Sequence, residues 1–263
     1  MSMPDIAWWI DFLRVPVSLS FLSVSSWQDY KSREVSNRMW ILYAPIGFAL
    51  TLLKCYLEYT AGKTSGILLW IISLAITTGI SLTLFYAGFF GGADAKALIC
   101  LSIAIPVYPD FSLTRFYVII PIFPLAVLVN AVLTSSLLIP VILCYNLIKY
   151  ARLKGTLFKG LEHESRWRKI LVFVTGIKVD LEKLKSGSHY IPLEYVAEED
   201  GEFTRHLKFS PRLEMEDPRR LEEFDGQVWA TPGLPFLIFM TLGFVTALFF
   251  GDFTSWLINM ILA

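Results

Sequence analysis

Residues 66–90, GILLWIISLAITTGISLTLFYAGFF, run for 25 positions without a charged side chain. A spanning helix needs about 20 largely apolar residues, so this stretch alone points to the bilayer as solvent. There every backbone polar group must be satisfied within the segment, which commits such a run to α-helix. Five further apolar runs accompany it, at roughly 9–27, 39–58, 95–109, 117–148 and 233–260, in a chain of 263 residues of which 55% are hydrophobic. The expected fold is an all-α polytopic membrane protein with six transmembrane helices. The first run is the least regular, with Arg14, Pro16 and several serines; Trp8, Trp9, Trp27 and Tyr30 at its ends suit interfacial belts, and Arg14 is expected to snorkel outward. The fifth is overlong and carries Pro121, Pro124 and Pro140, which predicts a kink or tilt.

Charge is distributed unevenly. Of 23 basic and 23 acidic residues, 15 of each fall within 149–230, and the balance suggests no nucleic-acid partner. Lys31, Arg33 and Arg38 follow the first run, and Lys149, Arg152, Lys154 and Lys159 follow the fifth; Lys63 and Arg115 lie in the opposing loops. The positive-inside rule then predicts a multi-pass protein of the cell membrane, both termini extracytoplasmic, with residues 150–230 in the cytoplasm. The N-terminus lacks the charged region and small-residue site of a cleaved signal peptide. Within 150–230, KILVFVTGIKVDL and HYIPLEYVAEEDGEFTRHLKF alternate β-branched and aromatic runs with the turn-like stretches 185–188 and 198–201, which predicts a small antiparallel β-rich cytoplasmic insert between helices five and six. The acidic stretch RLEMEDPRRLEEFDG is expected to be a solvated linker or helix. The expected division is 1–149 for the first five helices, 150–230 for the insert and 231–263 for the sixth helix.

Cys55, Cys100 and Cys144 each sit in an apolar run, and His163, His189 and His206 in the polar stretch with no metal-ligand spacing. They are expected to be buried small hydrophobes and surface residues respectively, with no metal site. The chemistry is sought among eight acids outside the insert. Asp5, Asp11, Glu58, Asp110 and Asp252 fall near outer ends, where a solvated boundary charge suffices as explanation. Asp29 closes the first run and Asp94 opens the fourth, so both belong to the same membrane face. From Asp94 to Pro109 is about 22 Å of helix against a hydrocarbon core of about 30 Å, so Asp94 is expected to be recessed. Ser18, Ser25 and Asp29 share a helical face that should point into the bundle, where an ionisable residue is a functional-site hypothesis. Gly91 and Gly92 permit a tight turn beside Asp94. By spacing alone, Asp94 can equally be a partner of Asp29 or a helix cap.

WQDYKSREVSN followed by GGADAK resembles the archaeal preflagellin and prepilin peptidases, the type IV prepilin-like membrane aspartic peptidases. Their first motif has an aspartate followed by Arg and Asn, matched here by Asp29, Arg33 and Asn37. Their second, GxGD, is matched by Gly91, Gly92, Ala93 and Asp94, with Ala93 replacing the second glycine. The final stretch VWATPGLPFLIFMTLGFVTALFFGD resembles the last helix of the archaeal branch, so the likeness covers nearly the whole chain. It implies an aspartic endopeptidase with Asp29 and Asp94 catalytic, and with Arg33, Asn37, Gly91, Gly92, Ala93 and Lys96 in supporting roles. For Lys96 a surface or lipid role is favoured. The resemblance further implies preflagellin, archaellin or pilin-like precursors as substrates, cut at the cytoplasmic face, with membrane lipids as the other partner. Such a dyad needs neither metal nor cofactor. Asp94 begins a helix, whose dipole favours the anion, and Asp29 ends one, so Asp94 is expected to be the resting base and Asp29 the proton carrier. Two alternatives remain at this level: a presenilin-like intramembrane protease, whose aspartates lie on adjacent central helices, and a proton- or cation-coupled transporter.

Overall fold

The structure, a computed structural model, describes residues 6–112, 120–152, 156–185, 190–199, 202–208 and 226–262. It is mostly helical, with a small β region late in the chain, and it divides into two compact units: residues 1–135 with 235–263, and residues 136–234.

The first unit is a helical bundle of α1 (Ile6–Ser32), α2 (Asn37–Thr60), α3 (Ser65–Ala87), α4 (Gly92–Ala104), α5 (Phe123–Ser136), α9 (Phe236–Phe250) and α10 (Phe253–Leu262). Among the described residues, three helical stretches are long and apolar enough to cross a membrane: Asn37–Thr60, Ser65–Ala87 and Phe123–Arg152. Phe236–Phe250 is apolar but shorter. The third of these stretches is interrupted at Leu137, so that α5 ends and α6 (Leu138–Arg152) begins there. Pro140 falls in the first turn of α6, where its missing N–H costs nothing, which is why the break lies just upstream of it. The last run is also two helices. Gly251, with φ 86° and ψ −154°, separates α9 from α10, and Asn130 of α5 bridges the gap. Its Nδ2 donates to Gly251 O at 3.0 Å, and its Oδ1 accepts from the Phe253 N–H at 2.9 Å.

Close packing holds the bundle, as expected where lipid offers no hydrophobic drive between helices. A Cβ on Gly47 would sit 2.6 Å from that of Ala104, and one on Gly243 would sit 2.5 Å from Val127 O. These contacts bring α2 onto α4 and α9 onto α5. Leu22, Tyr43, Leu98, Leu101, Ile105, Phe123 and Phe244 fill the space between. Ser18 and Ser25 are fully buried, as the face they share with Asp29 predicted. α4 stops at Ala104 ahead of Pro106 and is about 20 Å long, shorter than the six-run reading allowed.

That short helix explains a correction at the opposite end of α1 from Asp29. Arg14 does not snorkel: it is 2% exposed, and Asp11 and Asp252 are fully buried rather than solvated boundary charges. The Ala104 carbonyl, left without a helical partner, accepts from Thr51 Oγ1 at 2.8 Å and from Arg14 Nη1 at 3.2 Å. Asp11 in turn accepts from Arg14, from Lys54 Nζ at 2.7 Å and from the Asp110 N–H at 2.8 Å. Lys54 also reaches Asp110 Oδ2 at 3.0 Å. A buried cation needs such partners, and here a helix terminus and two carboxylates supply them. Asp110 itself is exposed and Glu58 half-buried, closer to the boundary role expected of them.

The second unit comprises α6, α7 (Arg166–Thr175), β1 (Ile177–Asp180), α8 (Leu181–Lys185), β2 (Tyr190–Pro192), β3 (Glu194–Glu199), β4 (Glu202–Leu207) and β5 (Gln227–Pro232). β1, β5 and β2 form an antiparallel sheet in that order, with Ile177 opposite Ala230 and Ile191 opposite Thr231, and β3 pairs with β4 as a hairpin. KILVFV, read as strand, is helical. Ser165 caps α7 by accepting from the Arg168 N–H, and Lys169, Val172, Phe173 and Gly176 recur on the covered side at helical spacing. Asn146 of α6 donates to Phe173 O and Gly176 O at 2.7 and 2.6 Å. Trp229 lies at the centre, stacked on Phe158 with ring centroids 5.0 Å apart, among Leu157, Leu161, Val172, Leu193 and Leu207. Glu194 is buried beside Arg205 and accepts from the Trp229 N–H; burial pushes its carboxyl above the ordinary range even though Arg205 and that N–H pull it down. The stretch 186–188 and the acidic segment 212–225 lie outside the described residues.

Candidate active site

The first motif is built on the end of α1. Arg33 takes φ 58°, the left-handed conformation that stops a helix, and its N–H donates to Asp29 O at 3.0 Å. Gln28 then holds the exit: its Oε1 accepts from the Ser36 N–H at 3.0 Å, and its carbonyl accepts from Ser32 Oγ at 2.9 Å. α2 restarts at Asn37, so Asp29, Arg33 and Asn37 bracket one tight turn at one end of the bundle. Asp29 is half-buried there. Sequence reasoning passed over Gln28, although a glutamine beside the aspartate, able to reach the following loop, was visible.

The second motif opens α4. α3 ends at Gly88, whose φ of 87° lets the Gly88, Phe89 and Phe90 N–H groups double back onto the carbonyls of Phe85 and Leu84. Gly88 is therefore the glycine that requires left-handed backbone. Gly91 is extended, with φ −72° and ψ 161°, and Gly92 and Ala93 already belong to the helix. The alanine in place of the second motif glycine costs nothing in backbone conformation, because that position is helical. What Gly91 provides is room: a Cβ there would come within 3.1 Å of Asp94 Oδ2.

Asp94 lies in the first turn of α4, half-buried, and its Oδ2 accepts from the Gly91 N–H at 2.9 Å. The capping role left open by spacing is thus real, since this is the reciprocal bond of a capping box. It does not exclude the other role. α1, which carries Asp29 at its end, packs against α4. Lys96, exposed on the next turn, donates to Asn37 Oδ1 at 2.8 Å and so links the two motifs directly. This gives Lys96 a structural partner where a surface or lipid role was favoured. All eight residues proposed from the sequence therefore lie at one end of the bundle: two carboxylates, the turns that carry them, and one tie between the motifs.

Chemically, two neighbouring carboxylates can share one proton, because their like charges oppose double ionisation. Such a pair can hold a base and an acid at once, with no metal or nucleophilic side chain.

Apolar membrane-length helices and a small β region late in the chain define a helical membrane protein, and two acids lie at one end of its bundle. Residues 17–143 match the profile of the type IV leader peptidase family, and residues 168–253 match that of the archaeal peptidase A24 C-terminus, type II. The preflagellin peptidase of Methanococcus voltae is 31% identical over 246 residues, which cover 90% of this chain and 94% of that one. Those of Methanococcus maripaludis and Methanocaldococcus jannaschii are 27% and 23% identical, over 88% of this chain and 92% and 91% of theirs. The chain belongs to the type IV leader peptidase family, in its archaeal form, and is an aspartic peptidase.

Proposed function

We propose that this peptidase removes the short leader from preflagellin, archaellin or type IV pilin-like precursors at the cytoplasmic face of the membrane, with Asp29 and Asp94 as its catalytic pair. The observation that supports the reading is geometric: α1 packs against α4, and Lys96, two residues after Asp94, donates to Asn37 Oδ1 at 2.8 Å, so the two motifs share one end of the bundle although 65 positions separate the aspartates. In the reaction, the ionised carboxylate takes a proton from water as the water oxygen attacks the scissile carbonyl. The protonated partner donates to the carbonyl oxygen, and the tetrahedral intermediate collapses as a proton passes to the departing amide nitrogen. The helix dipole at the start of α4 favours Asp94 as the resting base, leaving Asp29 to carry the proton. Arg33 and Asn37 hold the α1 exit, Gly91 leaves space beside the carboxylate, and Lys96 braces Asn37.

The topology proposed with this function has six spans and both termini outside. It divides the chain into 1–149, a cytoplasmic insert at 150–230 and 231–263, and it brings the pair to the level where a basic leader meets an apolar helix. The relatives named above support the substrate class. The family favours a peptidase over an ion-coupled transporter, and the placement of one acid on α1 differs from the adjacent central helices of a presenilin-like enzyme.

Cleavage of a synthetic leader–helix precursor by purified protein in detergent tests the proposal. Asp29→Asn and Asp94→Asn should each lower turnover by on the order of 10²–10⁴-fold or more, since each removes one half of the acid–base pair. Wild-type cleavage rates in either variant would end the two-aspartate mechanism.

A further inference from the structure

Three potential metal ligands converge in the second unit. His163 and Glu164 lie in the turn before α7, and His206 lies on β4, 43 positions from His163. One nitrogen of each histidine and a carboxylate oxygen of Glu164 all fall within 4.8 Å of one another. The imidazole rings meet edge to face with centroids 4.9 Å apart. These residues belong to the second unit and the aspartate pair to the first.

The hydrogen bonds around His206 set its chemistry. Thr204 Oγ1 lies 2.9 Å from His206 Nε2 and so holds the ring in place. The other ring nitrogen, Nδ1, faces Glu164 Oε1 at 3.2 Å. Ligands about 2.0–2.1 Å from a tetrahedral zinc stand about 3.3 Å apart, so the Nδ1–Oε1 pair already has the spacing of two vertices. His163 is exposed, and rotation of its side chain closes the remaining gap of about 1.5 Å without disturbing the core. Around Glu164, the Leu207 N–H donates to Oε1 at 2.8 Å and Arg168 to Oε2 at 3.2 Å. These bonds orient the carboxylate and leave a lone pair of Oε1 available, in the manner of outer-shell partners of a metal ligand.

We propose that His163, Glu164 and His206 form a binding site for a divalent transition-metal ion of the imidazole-preferring class, Zn²⁺ above all, with water completing the coordination. The ion is structural. It clasps the turn that leads into α7 onto the β3–β4 hairpin, within a unit of modest core where one added crosslink matters. Two imidazoles and one carboxylate select such an ion over Mg²⁺, which prefers an all-oxygen shell.

The test uses the full chain, purified in detergent through a tag without histidine and treated with chelator, then titrated with Zn²⁺ against a fluorescent zinc indicator. One zinc per chain is expected, with a rise in melting temperature that Mg²⁺ does not reproduce. His163→Ala replaces an exposed residue and so leaves folding intact; it should weaken zinc binding by at least ~10–100-fold, the loss typical of even an outer-shell partner. Thr204→Val, which removes the hydroxyl that holds the His206 ring, should fall within that same range of roughly 10–100-fold. Absence of zinc binding by the wild-type chain, unchanged affinity in His163→Ala and His206→Ala, or equal stabilisation by Mg²⁺ would each overturn the proposal. The first outcome would assign the contact to an imidazolium–carboxylate pair instead.

Discussion

Replacing Asp11 by asparagine tests whether the buried charges at the far end of α1 hold the bundle together. Asn keeps the shape and one carbonyl acceptor, but it removes the carboxylate that pairs with both Arg14 and Lys54. The two cations do not suffer equally. Lys54 retains Asp110 at 3.0 Å and Glu58 at 3.6 Å, whereas Arg14 is left with the neutral acceptors Thr51 Oγ1 and Ala104 O. The deficit therefore falls on a guanidinium that is 2% exposed. Stripping one partner from a buried ion pair costs about 3–5 kcal/mol. At about 2–4 °C per kcal/mol for a chain of this order of size, the melting temperature should fall by ~6–20 °C. The assay is thermal unfolding in detergent followed by tryptophan fluorescence, arranged as a double-mutant cycle with Arg14→Met. Because the double variant removes the stranded charge, it should recover most of the loss. Cleavage well below the melting point should be unaffected, since Asp29 lies 18 residues, or roughly 27 Å, along the same helix. An Asp11→Asn protein that melts within about 2 °C of wild type would refute the reasoning, because only hydration of Arg14 could offset the lost carboxylate.

Gly91→Ala introduces a Cβ 3.1 Å from Asp94 Oδ2, so it should lower kcat for precursor cleavage while leaving KM and melting temperature near wild type; steady-state kinetics on the synthetic precursor check this. Gly243→Ala drives a methyl against Val127 O at 2.5 Å and Ala131 N at 2.9 Å, contacts with backbone that cannot move aside, so it should destabilise the protein by about 1–3 kcal/mol in the same melting assay. Glu194 gives a pH signature. Its folded pKa is raised, chiefly by burial, so the folded unit holds a proton that the unfolded chain has released, and stability falls as pH rises from the ordinary glutamate value through the raised one. Urea unfolding across that window should lose this slope in Glu194→Gln.

Much of the site was legible because its parts are local. The spacing of Asp29, Arg33 and Asn37 places them around a single helix exit, and Asp94 follows its glycines within one turn. Other features depended on neighbours distant in the chain. Nothing near Gly88 in the sequence separates it from Gly91 and Gly92; the bonds to Leu84 and Phe85 do. Arg14 looked free to reach water because the carbonyl it serves, Ala104, is 90 positions away. KILVFV carries strand-forming residues, but the Ser165 cap and a covered face at helical spacing outweighed a weak local preference.

The amino-acid order by itself determined that this chain enters a membrane as helices, since uncharged runs of such length must satisfy their backbone internally. It also determined where the two acids stand on those helices. Tertiary structure decided which polar groups meet: Lys54 on Asp11, Lys96 on Asn37, and His206 on Glu164. Such pairing is set by distance in space, and packing across 42 to 59 positions of chain brings those partners to 2.7–3.2 Å.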